Sequence, residues 1–170
     1  MSSDPKGYAR DPSMVIERTP ELHAVIEHAY EVFSKYDDPG TNFCSFCYSI
    51  SEIEYLTSTP LRKIEGKMAA KLVFEAADHF QSSEVYRYFL PRILDVLAPP
   101  TNCEDIYTEH FFEVLADQRF AFWPNGEKSI IIDYIEAMKF VMDARDPEDA
   151  KEWRDAAAKL RFDPIRLPPG

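Results

Sequence analysis

Apolar residues recur at intervals of three and four along most of this chain, and this helical spacing constrains the fold more than any other feature. Such spacing places apolar side chains along one stripe of a helix, which must be buried against other elements. On this basis helices are predicted over residues 20–37, 51–57, 65–80, 84–98, 104–118, 130–142 and 147–161. The sequence therefore predicts an all-α protein, a single domain of six to seven helices stacked as antiparallel hairpins.

Local signals place the helix starts. Thr19-Pro20 and Asp146-Pro147 each combine a capping residue with a proline in the first helical turn. Ser51 and Glu54 have the spacing of a capping box, in which each side chain bonds to the backbone of the other residue. Pro91 lacks a backbone donor and should kink or split its helix. The run Ile130–Ile132 could also form a strand, but the helical series continues well beyond strand length.

The 170 residues are enough for one domain with a sizeable core that needs no disulfides. We expect residues 1–18 to form a mobile N-terminal arm that docks through Met14–Ile16. Residues 19–162 are predicted to form the helical domain, and residues 163–170 a C-terminal tail. No segment is apolar enough to cross a bilayer or to serve as a secretory signal, so we expect a cytoplasmic protein.

The balance of charges limits the classes of partner. The chain has 19 Lys and Arg against 30 Asp and Glu, which gives a formal net charge of −11. A field of this sign repels the phosphates of nucleic acids and anionic membranes, and no run of Lys or Arg opposes it. The same field attracts a basic protein and accelerates the encounter. The simpler interpretation is that the charge keeps the protein soluble.

Three cysteines, an odd number, favour a reducing compartment over a disulfide scaffold. The spacing of Cys44 and Cys47 permits a structural zinc site, for which Cys103 and His110 are an irregular completion. It also permits a redox pair, although no clear strand precedes it. The third interpretation, in which these are ordinary buried or loop cysteines, requires neither a metal ion nor a redox function. We adopt it and predict no cofactor.

Familiar catalytic motifs are absent from the sequence, and five glycines offer little material for a phosphate-binding loop. For an enzyme with a site between helices, the only candidates are Glu75, Asp78 and His79. Glu75 and His79 lie four residues apart and have no second pair to complete a di-metal site. A single pair of this kind is typical of a helix surface, so the sequence predicts that the protein is not an enzyme.

The most informative surface is a row of acids at intervals of four: Asp105, Glu109, Glu113 and Asp117. Glu104 adds a fifth acid, and residues 104–118 contain no Lys or Arg. Each like-charge pair at this spacing destabilises a helix by about 0.2 to 0.5 kcal/mol. A row that costs stability without local counter-charges is expected of a docking face for a basic partner. The alternative is a solvated face neutralised by Lys or Arg from a neighbouring helix.

Four motifs give the chain a resemblance to a known group. In order, they are Cys44-x-x-Cys47, Thr59-Pro60-Leu61-Arg62, Tyr86-Arg87-Tyr88-Phe89-Leu90-Pro91-Arg92-Ile93-Leu94, and Trp123-Pro124 with Glu127. Together they resemble a group of uncharacterised small all-helical bacterial proteins, some of which look like toxin-immunity proteins. The resemblance implies a helical fold, and it implies no catalytic activity for this chain.

Taken together, these patterns predict a cytoplasmic bacterial immunity or inhibitor protein that binds a basic partner, such as a toxin, through the acidic row and occludes its cleft. Two alternatives stay open at this point. One is a zinc-stabilised helical domain that uses Cys44 and Cys47, and the other is a helical enzyme with an interhelical site. The aromatic runs Tyr86–Phe89 and Phe120–Trp123 could anchor a partner or belong to the core.

Overall fold

A computed structural model describes residues 16–37, 43–79 and 82–162, including all their side chains except those of 76–79 and 161–162. The described residues form seven α-helices and no β-strand, which confirms the all-α prediction. The helices are α1 Pro20–Val32, α2 Ile50–Ser58, α3 Gly66–His79, α4 Ser83–Leu97, α5 Thr108–Asp117, α6 Asn125–Arg145 and α7 Pro147–Phe162. Short 3₁₀ helices cover Phe33–Lys35, Leu61–Lys63 and Phe120–Phe122.

Two predicted helix starts are confirmed in atomic detail. The side chain of Thr19 accepts a hydrogen bond from the backbone N–H of Leu22, with Pro20 in the first turn. The carboxylate of Asp146 accepts a bond of 2.7 Å from the N–H of Glu148. Each cap satisfies a backbone donor that the helix itself leaves unpaired.

The predicted capping box of α2 is wrong by two residues. The box forms between Ser49 and Glu52, not between Ser51 and Glu54. Both pairs have the same spacing, so the sequence pattern does not separate them. The choice is tertiary, because Lys71 on α3 lies 2.9 Å from the Glu52 carboxylate and holds it at the helix start.

The fifth helix begins at Thr108, four residues later than predicted. The chain after α4 first folds back, since the N–H of Asn102 donates to the carbonyl of Ala98 and that of Cys103 to Val96. Asn102 has a positive φ of 46°, which interrupts helical geometry. As a result residues 104 and 105 lie in a turn ahead of α5.

Pro91 does not split α4, which runs without interruption from Ser83 to Leu97 with Pro91 buried inside it. The isoleucine run 130–132 is helical, so the strand interpretation is wrong. Tyr86, Phe89, Phe120 and Trp123 are buried, and the two aromatic runs therefore belong mainly to the core.

The principal helix contacts make a closed circuit in the order α1, α4, α3, α5, α7, α6 and back to α1. Two aromatic side chains also donate hydrogen bonds between helices. The hydroxyl of Tyr134 donates to the carbonyl of Leu94 at 2.9 Å, and the indole N–H of Trp153 to that of Ile135 at 3.1 Å. In this circuit α5 lies between α3 and α7, with one face inward and one face outward. None of the described helices is both long and apolar enough to cross a membrane.

The start of the described chain is tied to the end of α4. Ile16 packs partly buried against the core, and Arg18 lies 2.7 Å from the carboxylate of Asp95. The other carboxylate oxygen of Asp95 accepts from the Tyr30 hydroxyl at 2.8 Å and from Arg92 at 3.0 Å. Residues 1–15 of the predicted arm and the whole predicted tail lie outside the described residues.

This arrangement predicts an acid-sensitive contribution to stability. Burial opposes ionisation of Asp95, but the bonds from Arg18 and Tyr30 outweigh it and hold the pKa of Asp95 below its ordinary value of 3.8. A carboxyl with a lowered folded-state pKa stabilises the fold above its unfolded pKa, and the stabilisation is lost as the pH falls toward the folded value. We expect Asp95→Asn to lower the free energy of unfolding by about 1.5 to 3 kcal/mol at pH 7.

The same difference between wild type and Asp95→Asn should shrink as the pH falls below about 4, because the Asp95 carboxyl of the unfolded wild-type chain then binds a proton while that of the folded protein still resists protonation. Urea unfolding of both proteins between pH 7 and pH 2.5 measures the difference. If the difference in the free energy of unfolding stayed constant over this pH range, ionised Asp95 would not stabilise the fold in the way described.

Candidate functional site

The predicted acidic row is only partly helical. Glu109, Glu113 and Asp117 lie on successive turns of α5, and Asp105 lies in the turn that precedes the helix. All four side chains are exposed. Four acids at this spacing on one helix would make three like-charge pairs. Two of the pairs lie within α5, and together they destabilise this helix by about 0.4 to 1 kcal/mol. The structure does place the four predicted residues at the surface, along and just before one helix.

The outward direction of the row follows from the buried face of α5. Phe111, Phe112, Val114 and Leu115 of this helix are buried against the neighbouring helices. The acids of α5 lie on the opposite side of the helix, so no rotation of α5 could bury them without exposing this apolar face. The orientation of the row is thus fixed by the core.

Two lysines of α7 lie near Glu109 of the row. A groove of about 400 Å³ between α5 and α7 is lined by Glu109, Glu148, Lys151, Glu152, Asp155, Ala156 and Lys159. Four carboxylates face two ammonium groups there, so the groove keeps a net negative charge of two. Within the described ranges, no Lys or Arg nitrogen lies within 4.0 Å of the carboxylates of the row. Among the described residues, no acid of the row is therefore neutralised by direct contact with Lys or Arg, although Glu109 shares a groove with two lysines of α7.

An exposed aromatic cluster adjoins the row. Phe74 of α3 is 46% exposed and Tyr107, just before α5, is 65% exposed, with ring centroids 6.5 Å apart in an edge-to-face arrangement. The ring of His110 stacks on Phe74 at 4.5 Å, and its Nδ1 lies 3.7 Å from the Glu113 carboxylate. Contacts thus run from Tyr107 through Phe74 and His110 to the acidic row. We call the four acids together with Phe74 and Tyr107 the acidic–aromatic face.

Sequence reasoning missed the aromatic part of this face. One signal was present: Phe74 falls outside the apolar stripe of α3, since Leu72 and Val73 are buried and Phe74 is not. An aromatic residue off the stripe of an amphipathic helix is expected at the surface. Its partner Tyr107 carried no such signal, because it belongs to the turn whose extent was predicted wrongly.

The two cysteines of the Cys-x-x-Cys motif meet at one turn. The Sγ atoms of Cys44 and Cys47 are 3.0 Å apart, and both residues are thiols. The bond to Cys44, burial and a bond to Glu75 together raise the pKa of the Cys47 thiol to about 12. The protonated form of Cys47 is therefore favoured at neutral pH.

The proposed completion of a zinc site is not assembled. Cys103 lies against Gly66 at the start of α3, with its Sγ 3.5 Å from the Gly66 carbonyl. Cys47 contacts Glu75, which also belongs to α3. Glu75 lies nine residues after Gly66, a distance of about 13 Å along the helix axis. His110 stacks on Phe74 instead. Among the described residues, no group of three or more His, Cys, Asp and Glu side chains could hold a metal ion.

Of the three candidate catalytic residues, Glu75 contacts the Cys47 thiol. The side chains of Asp78 and His79 lie outside the described residues, although α3 extends through both positions. The predicted catalytic group is thus represented here by one carboxyl next to a thiol.

Comparison of the chain with protein-family models, with curated proteins and with solved structures finds no match. The resemblance to small helical bacterial proteins stays a prediction that depends on its motif residues.

Proposed function

We propose that this protein is an inhibitor of the immunity type, which binds a basic partner protein through the acidic–aromatic face and occludes the partner's active cleft. The observation that carries the proposal is the series of contacts that joins the exposed rings of Tyr107 and Phe74, through the His110 ring, to Glu113 in the acidic row. Protein interfaces combine these two features, since aromatic anchors supply affinity and charges supply orientation.

The electrostatic part of the proposal concerns association. The net charge of −11 draws a basic protein toward the molecule from any direction. The local row, which has no direct Lys or Arg contact among the described residues, then favours one docking orientation. Added salt screens both effects over a Debye length of about 8 to 10 Å at physiological ionic strength. Binding through this face should therefore weaken as salt is raised.

The aromatic part concerns the lifetime of the complex. Tyrosine and other large rings dominate binding energy when a partner excludes water from them. Phe74 and Tyr107 already contact each other, so little side-chain freedom remains to be lost on binding. By the resemblance stated above, the proposed partner is a bacterial toxin, and the site of encounter is the cytoplasm.

The test is capture from the native host by the tagged full-length protein, followed by mass spectrometry and affinity measurement on the captured partner. We expect one basic protein, and at least a 100-fold loss of affinity, about 2.7 kcal/mol, when all four acids of the row are neutralised. The variant is Asp105→Asn, Glu109→Gln, Glu113→Gln and Asp117→Asn.

A matched control separates the face from the overall charge. Neutralising four exposed acids elsewhere changes the net charge equally: Glu31→Gln, Glu54→Gln, Asp133→Asn and Asp143→Asn. The control should keep most of its affinity, whereas Phe74→Ala and Tyr107→Ala should each weaken binding about 10-fold or more at every salt concentration. Equal losses in the two charge variants, or no loss in the aromatic variants, would contradict the proposed face.

A further inference from the structure

The turn at residues 44–47 holds two thiols at a short distance. The N–H of Cys47 donates to the carbonyl of Cys44 at 3.2 Å, and the N–H of Tyr48 donates to the same carbonyl at 3.1 Å. These bonds keep the turn closed and bring the two Sγ atoms to 3.0 Å. A disulfide has a sulfur separation of about 2.05 Å, so the bond needs an approach of about 1 Å.

The turn is anchored on both sides. Phe43 and Tyr48 flank it, are buried, and pack edge to face with ring centroids 5.3 Å apart. The ammonium group of Lys71 lies 4.9 Å from the Tyr48 ring centroid, which ties the turn to α3. The backbone that carries the thiols is thus already held in the closed arrangement before any bond forms.

The turn is also open to reagents. Phe46 at its tip is 97% exposed, and Cys44 and Cys47 are each partly exposed. Cys103, by contrast, lies against α3 at Gly66, nine residues along that helix from Glu75, which Cys47 contacts. The chain therefore contains one candidate dithiol and one separate cysteine that serves as an internal comparison.

We propose that Cys44 and Cys47 form a reversible dithiol–disulfide site, distinct from the acidic–aromatic face, that exchanges with small-molecule disulfides of the glutathione class. In the first step the Cys44 sulfur, as thiolate, attacks the small disulfide, forms a mixed disulfide and releases one thiolate. In the second step Cys47 loses its proton to solvent, attacks the Cys44 sulfur and releases the second thiolate. The protein dithiol is oxidised, the small disulfide is reduced to two thiols, and the two protons of the dithiol end on them.

The order of attack follows from the hydrogen bond between the thiols. The Cys47 thiol donates to the Cys44 sulfur, which is therefore the acceptor and the better-placed nucleophile. The carboxyl of Glu75 next to Cys47 disfavours a thiolate at that position and keeps Cys47 for the second step.

The test uses the full-length protein equilibrated with defined ratios of reduced and oxidised glutathione, then quenched, alkylated and analysed by peptide mass spectrometry. We expect a Cys44–Cys47 disulfide, seen as a loss of about 2 Da, that is fully reversed by excess dithiol, while Cys103 stays alkylated. Cys47→Ser should accumulate a glutathione adduct on Cys44, and Cys44→Ser should react at least 10-fold more slowly than Cys47→Ser.

Cys103→Ser is the matched control and should oxidise as wild type does. Modification confined to Cys103, or equal initial rates in the two single variants, would overturn the proposed site. A second measurement adds one equivalent of Zn²⁺ before the oxidant. Full protection of both thiols by Zn²⁺ would assign the pair to metal binding and overturn the redox proposal, whereas unchanged oxidation supports it. Binding to a basic partner does not enter either readout.

Discussion

Replacing Arg87 by alanine is expected to lower the free energy of unfolding by about 3 to 5 kcal/mol. Arg87 on α4 lies 3.0 Å from the carboxylate of Glu127 on α6, which is fully buried. Tyr36 donates its hydroxyl to the same carboxylate, and Lys35 lies 3.0 Å from it. Removal of the guanidinium leaves a buried charge without its closest buried partner, and the half-exposed Lys35 compensates only in part.

Two comparisons isolate this cause, with urea unfolding followed by circular dichroism as the measurement. Arg154→Ala removes an arginine of an exposed ion pair with Asp143 and should change stability by less than about 1 kcal/mol. The double variant Arg87→Met with Glu127→Leu removes both buried charges and should recover most of the loss. If Arg87→Ala costs no more than Arg154→Ala, the buried network does not stabilise the fold in this way.

The second large effect is expected for Trp153→Ala, at about 3 to 5 kcal/mol. Trp153 of α7 is fully buried, with its ring parallel to Phe111 at 6.1 Å and edge to face with Phe112 at 4.9 Å. Its indole N–H also donates to the carbonyl of Ile135 on α6. The substitution therefore opens a cavity where α5, α6 and α7 meet, and it removes a buried hydrogen bond.

Trp153→Phe keeps most of the ring volume and removes the donor, so it should cost clearly less than the alanine variant. Phe140→Ala removes a ring that is 69% exposed and should change stability by about 0.5 kcal/mol or less. The urea concentrations at the unfolding midpoints of the three variants rank their losses of stability directly. Equal losses for Trp153→Ala and Phe140→Ala would show that α7 does not contribute to the core through this ring.

Local signals in the sequence were sufficient for the fold class and for several helix starts. Thr19 and Asp146 could be recognised because each cap depends only on residues within the first turn of its own helix. Helical periodicity likewise predicted the helices that carry Tyr134 and Trp153, both of which are buried. These features are local in origin, and the structure reproduces them.

The features that the sequence did not predict depend on contacts between residues far apart in the chain. Lys71 favours the capping box at Ser49 over the equivalent one at Ser51. The late start of α5 follows from the hydrogen bonds that Asn102 and Cys103 donate back to the end of α4. The burial of Glu127 depends on Arg87, forty residues away, and nothing near Glu127 in the sequence indicates it. The contact of Phe74 with Tyr107 likewise joins two segments whose proximity only the tertiary structure establishes.

The two aromatic donors on α6 and α7 also determine how the helices are aligned along their axes. Contacts between apolar side chains are not directional, so they oppose small slides of one helix along another only weakly. A slide of less than one helical turn, about 5.4 Å, would carry the Tyr134 hydroxyl away from Leu94 and the Trp153 indole away from Ile135, leaving both donors buried without acceptors. One polar atom at each contact thus adds a directional penalty against the small displacements that hydrophobic packing alone tolerates.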